Sequence, residues 1–136
     1  MYSLNILLVF TILCFAVSQA TFLGGILIYP GTKWCGASNK AANDNDFGTE
    51  IATDKCCQAH DKCPDVVKGF GTKGNLRNPN FYTRLNCNCD KQFYVCLKKA
   101  NTKASNEIGN IYFNKLHTKC FTGQGKSYKW EDEQHY

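Results

Sequence analysis

The sequence predicts a small, mainly α-helical domain whose helices are cross-linked by disulfide bonds. Two observations lead to this prediction: the chain has nine cysteines within 136 residues, and apolar residues recur at spacings of three and four in several segments. Hydrophobic residues make up 43% of the chain and charged residues 20%, which is typical of neither a disordered protein nor a membrane bundle. The net charge of +5 is too small to indicate binding to nucleic acid, and we expect none.

Residues 1–20 have the pattern of a secretion signal peptide. They carry no charged side chain, and Ser18 and Ala20 are small residues at the two positions that signal peptidase recognises. A buried N-terminal helix or a membrane anchor is the alternative, although the apolar run is short for a bilayer span. Cleavage after Ala20 removes Cys14 and leaves eight cysteines, which would form four disulfides in an oxidising compartment. We therefore expect a secreted, extracellular domain over residues 21–136, with further trimming of residues 21–27 left open.

The first predicted helix follows an irregular segment. Residues 21–50 contain proline, glycine and a polar run, which predict loops rather than regular structure. Thr53 or Asp54 can cap the first turn of a helix that runs to about residue 68 and ends before a glycine. Pro64 lies inside this pattern, so a kink or an early end of the helix is the alternative.

Two more helices and a hairpin are predicted in the second half of the chain. Residues 69–80 predict a loop because they are rich in glycine. Apolar residues at helical spacing predict a second helix over residues 81–100 and a third over residues 103–117. A turn at residues 123–125 separates two aromatic segments, which predicts a short β-hairpin, followed by an acidic tail at residues 131–133.

Positive charge is concentrated in one part of the chain. From Lys62 to Lys129 there are thirteen Lys and Arg against three Asp and Glu, a local balance of +10. This segment is either a solvated helical surface or a surface that attracts anionic lipid headgroups.

The segment around His60 is the first candidate for chemistry. On a helix, His60 and Asp61 point in adjacent directions and can serve two neighbouring tasks. Cys56 and Cys57 lie one turn earlier, so their disulfides would clamp the turn that holds both residues, as a catalytic pair requires. A buried structural histidine, a zinc site that includes Cys63, and a toxin-like disulfide scaffold are the alternatives. Zinc is disfavoured because thiolates in a secreted chain normally oxidise.

The loop of residues 29–39 is the second candidate. Small residues on both sides of Cys35 let such a loop turn its backbone carbonyls inward. Carbonyl oxygens and one carboxylate suit calcium, which is a hard cation that prefers oxygen ligands. A disulfide from Cys35 would tie this loop to the helix that carries Asp61. An ordinary turn is the alternative.

Together, these segments resemble the secreted phospholipase A2 family, specifically the bee-venom type (group III). The resemblance extends from Ile28 to Tyr136, and four blocks occur in the family's order. It implies two long antiparallel helices bridged by disulfides, a third helix, an N-terminal calcium loop and a short β-hairpin. The four blocks are Trp34-Cys35-Gly36, Asp54–Asp65, Thr83–Asp90 and Ile111–Asn114.

The resemblance implies a calcium-dependent enzyme that hydrolyses the sn-2 ester of glycerophospholipids to a free fatty acid and a lysophospholipid. His60 would be the general base that activates a water molecule, for which an imidazole is suited because its pKa lies near neutrality. Asp90 would hold the other ring nitrogen and fix the tautomer. Tyr112 would donate a hydrogen bond to Asp90.

The resemblance also implies one calcium ion as cofactor. Its ligands would be the Asp61 carboxylate and the backbone carbonyls of Trp34, Gly36 and Ser38, and the Gly36 amide would help to stabilise the oxyanion. The bee-venom pattern has glycine where Ser38 stands. We therefore expect a backbone conformation that serine disfavours and weaker calcium binding. The alternative is that calcium binds anyway, because a carbonyl ligand does not require a particular side chain.

The disulfides implied by the resemblance join the predicted loop, helices and hairpin. The segment between Cys120 and Tyr128 is shorter than in the family and lacks an extra cysteine pair, which affects local stability rather than catalysis. The implied pairs are Cys35–Cys57, Cys56–Cys96, Cys63–Cys89 and Cys87–Cys120.

The implied partner is a phospholipid membrane surface, bound peripherally by a monomer that favours anionic lipid. Residues 26–29 with Lys33, and the aromatic pair Phe81 and Tyr82, are the candidates for membrane contact. Packing of these residues inside the domain is the alternative. Two other functions stay open: a catalytically weak or inactive phospholipase-like toxin or receptor- or membrane-binding protein, and a cationic protein that disrupts membranes.

Overall fold

The computed structural model describes residues 28–136, so the predicted signal peptide and residues 21–27 lie outside the described residues. Within residues 28–136 the chain forms three α-helices, one π-helix and three two-stranded antiparallel sheets. This confirms the small, mainly helical and disulfide-rich class. The helices are α1 (Ile51–Asp61), α2 (Cys87–Ala100), α3 (Lys103–Gly109) and the π-helix Asn110–Lys115; the strands are β1 (Val66–Val67), β2 (Thr72–Lys73), β3 (Leu76–Arg77), β4 (Arg84–Leu85), β5 (Lys119–Gln124) and β6 (Ser127–Asp132).

Helix α1 is shorter than the sequence predicts and begins slightly earlier. It ends at Asp61, whereas the predicted helix continues to residue 68. Pro64 has no backbone N–H, and it disfavours helical geometry at the residue before it, Cys63. The chain therefore leaves the helix, and Val66–Val67 pair with Arg84–Leu85 as a short antiparallel ladder.

Helix α2 begins later than predicted. The residue before it, Asn86, has an extended backbone, and its side chain accepts a hydrogen bond from the amide of Asn88. Asparagine is one of the strongest N-caps, so it sets the start of the helix more firmly than the apolar periodicity does. The helix ends at Ala100, and its C-cap residue Asn101 adopts a left-handed conformation with φ of 48°.

The third predicted helix is divided into α3 and the π-helix. Thr102 and Ser105 form a reciprocal capping box at the start of α3. The hydroxyl of Thr102 also lies 2.9 Å from that of Thr53, which joins this cap to α1. The wider π-helix then carries Tyr112 toward α2, and π-helical turns often occur at functional sites.

The predicted hairpin is confirmed, with a later turn than expected. Strand β5 continues to Gln124, which pairs with Ser127, so the turn is Gly125-Lys126. The predicted loop at residues 69–80 contains a second small hairpin, β2–β3. The predicted acidic tail begins inside β6, because Glu131 and Asp132 pair with residues of β5.

Two hydrophobic clusters and the disulfides hold these elements together. Within residues 28–136 the disulfide pairs are those that the family resemblance implies: Cys35–Cys57, Cys56–Cys96, Cys63–Cys89 and Cys87–Cys120. The larger cluster joins the loop, α1, α2, α3 and the π-helix; its buried members are Trp34, Cys35, Cys56, Cys57, Phe93, Leu97, Ile108 and Phe113. The smaller one lies under the hairpins and consists of Val67, Leu76 and Phe121. In the described part of the chain, no helix combines the length and apolar character needed to cross a bilayer.

Candidate active site

His60 occupies the last turn of α1 and faces the first turn of α2. Its Nε2 lies 2.5 Å from Oδ1 of Asp90. The Asp90 side chain is almost fully buried, whereas 10% of the His60 side chain is accessible to solvent. Because the carboxylate accepts from Nε2, the proton of the neutral imidazole resides there, and Nδ1 is the nitrogen available to accept another proton.

Tyr112 completes a three-residue hydrogen-bonded group. Its hydroxyl donates to the same Asp90 Oδ1 at 3.0 Å. Burial raises the pKa of Tyr112 well above its ordinary value, and the negative charge of Asp90 adds to this effect. The phenol therefore remains protonated and serves as a donor at every physiological pH.

Aromatic rings fix the orientation of the imidazole. The His60 ring stacks on Phe93 with centroids 4.2 Å apart, and it meets the Tyr112 ring edge-on at 5.1 Å. Phe93 lies on α2, which the Cys56–Cys96 disulfide links to α1. Tyr112 lies on the π-helix and packs against the larger hydrophobic cluster. A cavity of about 100 Å³ lies beside His60, with room for several water molecules.

Asp54 holds the loop of residues 29–39 against α1. Its side chain is fully buried, and its carboxylate accepts hydrogen bonds from the amides of Lys33 at 2.9 Å, Trp34 at 2.7 Å and Gly48 at 2.8 Å. The sequence suggests Asp54 only as a helix cap, and this role is wrong because its side chain binds the loop instead. The only sequence signal for this role was the position of Asp54, two residues before the adjacent cysteines Cys56 and Cys57.

Some carbonyls of the loop accept hydrogen bonds and others do not. The carbonyls of Lys33 and Cys35 accept from the amides of Lys40 at 2.8 Å and Tyr29 at 2.7 Å. Among the described residues, no donor contacts the carbonyls of Trp34, Gly36, Ala37 and Ser38. Three of these oxygens, those of Trp34, Gly36 and Ser38, are the backbone ligands that the family resemblance implies. A set of oxygen atoms fits a hard cation such as calcium.

The backbone of Ser38 is unstrained. Among the described non-glycine residues, only Phe70, Asn101 and His117 have positive φ. The expectation that Ser38 occupies a conformation that serine disfavours is therefore wrong. Since a carbonyl ligand does not depend on its side chain, serine is compatible with the proposed ligand set.

Asp61 follows His60 and reaches the surface at the end of α1. Partial desolvation raises the pKa of Asp61 to about 6, an effect that a charged His60 opposes and the negative Asp54 reinforces. A nearby cation favours the charged form of a carboxyl group. A cation bound at Asp61 would therefore stabilise the charged form of its carboxyl group.

Only some of the residues predicted to contact the membrane are exposed and unpaired in the described part of the chain. Ile28 is buried, and the hydroxyl of Tyr29 is hydrogen-bonded to Glu107, so these two residues pack inward. Ile26 and Leu27 lie outside the described residues. Lys33 is not free for headgroups because its ammonium group pairs with Asp46.

The aromatic candidate is exposed. Phe81 has 82% of its surface accessible, and its ring meets that of Tyr82 edge-on at 5.5 Å.

Sequence reasoning missed one residue beside Asp90. Glu133 was predicted only as part of an acidic tail, but the structure brings its carboxyl group to Asp90. No sequence motif signals this contact, because it depends on the register of β5 and β6.

Comparison with known proteins gives a consistent result. A sequence model of the family described as phospholipase A2 matches residues 28–124. The chain is 48% identical over 96 residues to the phospholipase A2 of Apis mellifera, which covers 70% of this chain and 58% of that protein. It is 47% identical to the phospholipase A2 of Bombus pensylvanicus, over 70% of this chain and 71% of that protein. It is 40% identical to acidic phospholipase A2 PA4 of Heloderma suspectum, over 71% of this chain and 68% of that protein.

Proposed function

The chain belongs to the bee-venom type of the phospholipase A2 family, and we propose that it hydrolyses the sn-2 ester of glycerophospholipids at a membrane surface. The products are a free fatty acid and a lysophospholipid. The observation that carries this proposal is the contact of His60 Nε2 with Asp90 Oδ1 at 2.5 Å, with Tyr112 on the same oxygen. This arrangement leaves Nδ1 of His60 as the basic nitrogen, and a cavity with room for water lies beside the His60 side chain.

The proposed reaction begins with a water molecule at Nδ1 of His60. As the water oxygen attacks the ester carbonyl carbon, Nδ1 takes a proton from it, and a tetrahedral intermediate with a negative oxygen forms. The imidazolium then returns this proton to the glycerol oxygen as the ester bond breaks. Asp90 stabilises the imidazolium through Nε2, and Tyr112 keeps Asp90 in place.

We propose that the loop of residues 29–39 and Asp61 hold one calcium ion. Its ligands would be the Asp61 carboxylate and the carbonyls of Trp34, Gly36 and Ser38. The unbonded state of these carbonyls and the position of Asp61 next to His60 support this set. Bound calcium would supply positive charge that polarises the ester and stabilises the oxyanion.

The amide of Gly36 is proposed as a second oxyanion donor. Among the described residues it donates to no acceptor, so it is available for this role.

Secretion and the arrangement of the two long helices are part of the same proposal. Residues 1–20 would be a signal peptide and residues 21–136 the phospholipase domain, and disulfides are consistent with an oxidising compartment. Cys56 pairs with Cys96 and Cys63 with Cys89, so the order of the cysteines reverses between α1 and α2. This reversal supports an antiparallel pair.

The protein would bind membranes peripherally as a monomer. The exposed Phe81 ring supports insertion into the lipid interface, where aromatic rings are favoured. The positive balance of +10 between Lys62 and Lys129 supports a preference for anionic lipid.

Fatty acid release from phospholipid vesicles, with and without a calcium chelator, tests this function. We expect release that stops when the chelator is added and returns with excess calcium. Release that survives chelation would contradict the calcium site. The inactive-scaffold alternative loses its main support because Ser38 is unstrained. Vesicle leakage without fatty acid release would instead favour the membrane-disrupting alternative.

A further inference from the structure

The two oxygens of the Asp90 carboxylate have unequal surroundings. Oδ1 is in contact with both the His60 imidazole and the Tyr112 hydroxyl. Oδ2 is buried and has no donor among the described residues. A buried carboxylate oxygen without a donor is strongly disfavoured, so this position requires a partner.

Glu133 lies beside the Asp90 carboxyl group. It follows the last residue of β6, and the chain beyond it is fixed because the amide of Tyr136 donates to Asn114 at 2.9 Å. A carboxyl oxygen of Glu133, one of Asp90 and the sulfur of Cys120 lie within 4.8 Å of one another. Oε1 of Glu133 is likewise buried without a donor among the described residues.

A single proton satisfies both carboxyl groups. Two neighbouring buried acceptors cannot bond to each other when both are ionised, whereas one protonated group donates to the other. A metal ion does not fit equally well, because the Cys120 sulfur is already bonded to Cys87. Two carboxyl groups alone fall short of the six to eight oxygen ligands that calcium prefers.

We propose that Glu133 is a positioning residue of the active site, whose protonated carboxyl group donates a hydrogen bond to Oδ2 of Asp90. With this bond, both oxygens of Asp90 are held, and the carboxylate presents Oδ1 to His60 in one orientation. The pair carries one negative charge, which is the charge that the imidazolium needs during the reaction. The role in catalysis rests on the proposed function, whereas the shared proton does not.

The surroundings of Glu133 agree with a neutral side chain. Burial raises the pKa of Glu133 to about 9, and the hydrogen bond with Asp90 and its negative charge add to the rise. The other groups that face this pair are the protonated phenol of Tyr112 on the π-helix and the uncharged Cys120 disulfide on β5. His60 lies on the far side of the Asp90 hydrogen bond.

Substitutions at Glu133 test the positioning role. We expect Glu133→Ala to reduce kcat on phosphatidylcholine vesicles by about tenfold with little change in KM, because Asp90 loses a partner. Glu133→Gln is expected to recover most of this loss, since its amide can donate to Oδ2. The control is Asp132→Asn, which changes the carboxyl group of an exposed neighbour to an amide. Equal kcat values for Glu133→Ala and wild type would overturn the positioning role. Equal losses of kcat in Glu133→Ala and Glu133→Gln would overturn it as well.

The pH dependence of thermal unfolding tests the shared proton without any substrate. An unfolded glutamate titrates near 4.5, whereas folded Glu133 holds its proton to about pH 9. Between these values the folded state binds more protons than the unfolded state, so wild-type stability declines as pH rises. We expect the Tm difference between Glu133→Gln and wild type to grow steadily over this range.

Parallel Tm curves for these two proteins would overturn the shared proton. A growing difference in a protein that releases no fatty acid would support the shared proton and count against the proposed function alone.

Discussion

His60 and Asp90 lie 30 positions apart in the sequence, yet Nε2 of the imidazole and Oδ1 of the carboxylate are 2.5 Å apart in the folded chain. The contact joins the last turn of α1 to the first turn of α2, where the Cys63–Cys89 disulfide links the same two segments. Phe93 stacks on the imidazole and limits its rotation. Such rigidity matters because small errors in the position of a catalytic base reduce the rate strongly.

Replacement of Asp90 by asparagine is expected to abolish most of the activity. The amide cannot stabilise the imidazolium as a carboxylate does, and it can hold the wrong tautomer of His60. We expect kcat to fall by about 10²- to 10⁴-fold. Steady-state kinetics on phospholipid vesicles provides the measurement, with Asp132→Asn as the matched control. A fall no greater than that of the control would show that Asp90 has no catalytic role.

Replacement of Tyr112 by phenylalanine is expected to have a smaller effect. The change removes one hydrogen bond to Asp90 Oδ1 but keeps the ring that packs against His60. We expect kcat to fall by less than about tenfold and the free energy of unfolding to drop by about 1 kcal/mol. Kinetics and denaturant unfolding measure these effects. A loss as large as that of Asp90→Asn would mean that the hydroxyl acts directly on the substrate.

Asp54 is expected to control calcium affinity without being a ligand. Its carboxylate binds three amides that shape the loop, so Asp54→Asn loosens the proposed carbonyl set. Residues that support metal ligands typically contribute about 10- to 100-fold in affinity. Calorimetric titration with calcium tests this expectation, and Asp44→Asn, which lies on an exposed part of the chain, is the control. Unchanged affinity in Asp54→Asn would separate the loop from the calcium site.

Ser38→Gly is expected to change calcium affinity by no more than about twofold. Ser38 has an ordinary backbone conformation, so glycine relieves no strain and adds only flexibility. The same calorimetric titration applies. A gain of tenfold or more would mean that serine does impair the site.

Phe81→Asp is expected to weaken vesicle binding. The ring is the most exposed large apolar side chain in the described part of the chain, and aspartate is repelled by an anionic surface. Sedimentation with anionic vesicles measures the affinity, and turnover of a short-chain soluble phospholipid is expected to stay unchanged. Val95→Asp is the control, since Val95 is also exposed but lies on α2. Equal loss in both variants would indicate a general charge effect.

The sequence predicts the order of the elements well because local signals determine them. Capping residues identify the first helix, apolar periodicity identifies the second and third, and the glycine turn identifies the hairpin. The helix ends are less predictable, because Pro64 and Asn86 override the periodicity at their own positions. The third helix becomes a π-helix after Gly109, and no local signal in the sequence indicates the change.

Contacts between distant segments account for what the sequence does not reveal. Asp54 binds backbone amides that carry no side-chain signature. The contact of Glu133 with Asp90 depends on the register of β5 and β6 and on the position of the chain that follows β6. An exposed acidic tail is the ordinary expectation for such a segment, and burial beside another carboxyl group is the exception.

Release of a labelled fatty acid from the sn-2 position by wild type, His60→Gln and His135→Gln tests the central claim most directly. His135 is exposed, so the second variant is the matched control. We predict that His60→Gln releases labelled fatty acid at least about a hundredfold more slowly than wild type, while His135→Gln retains the wild-type rate. Release by His60→Gln at the wild-type rate would contradict the account.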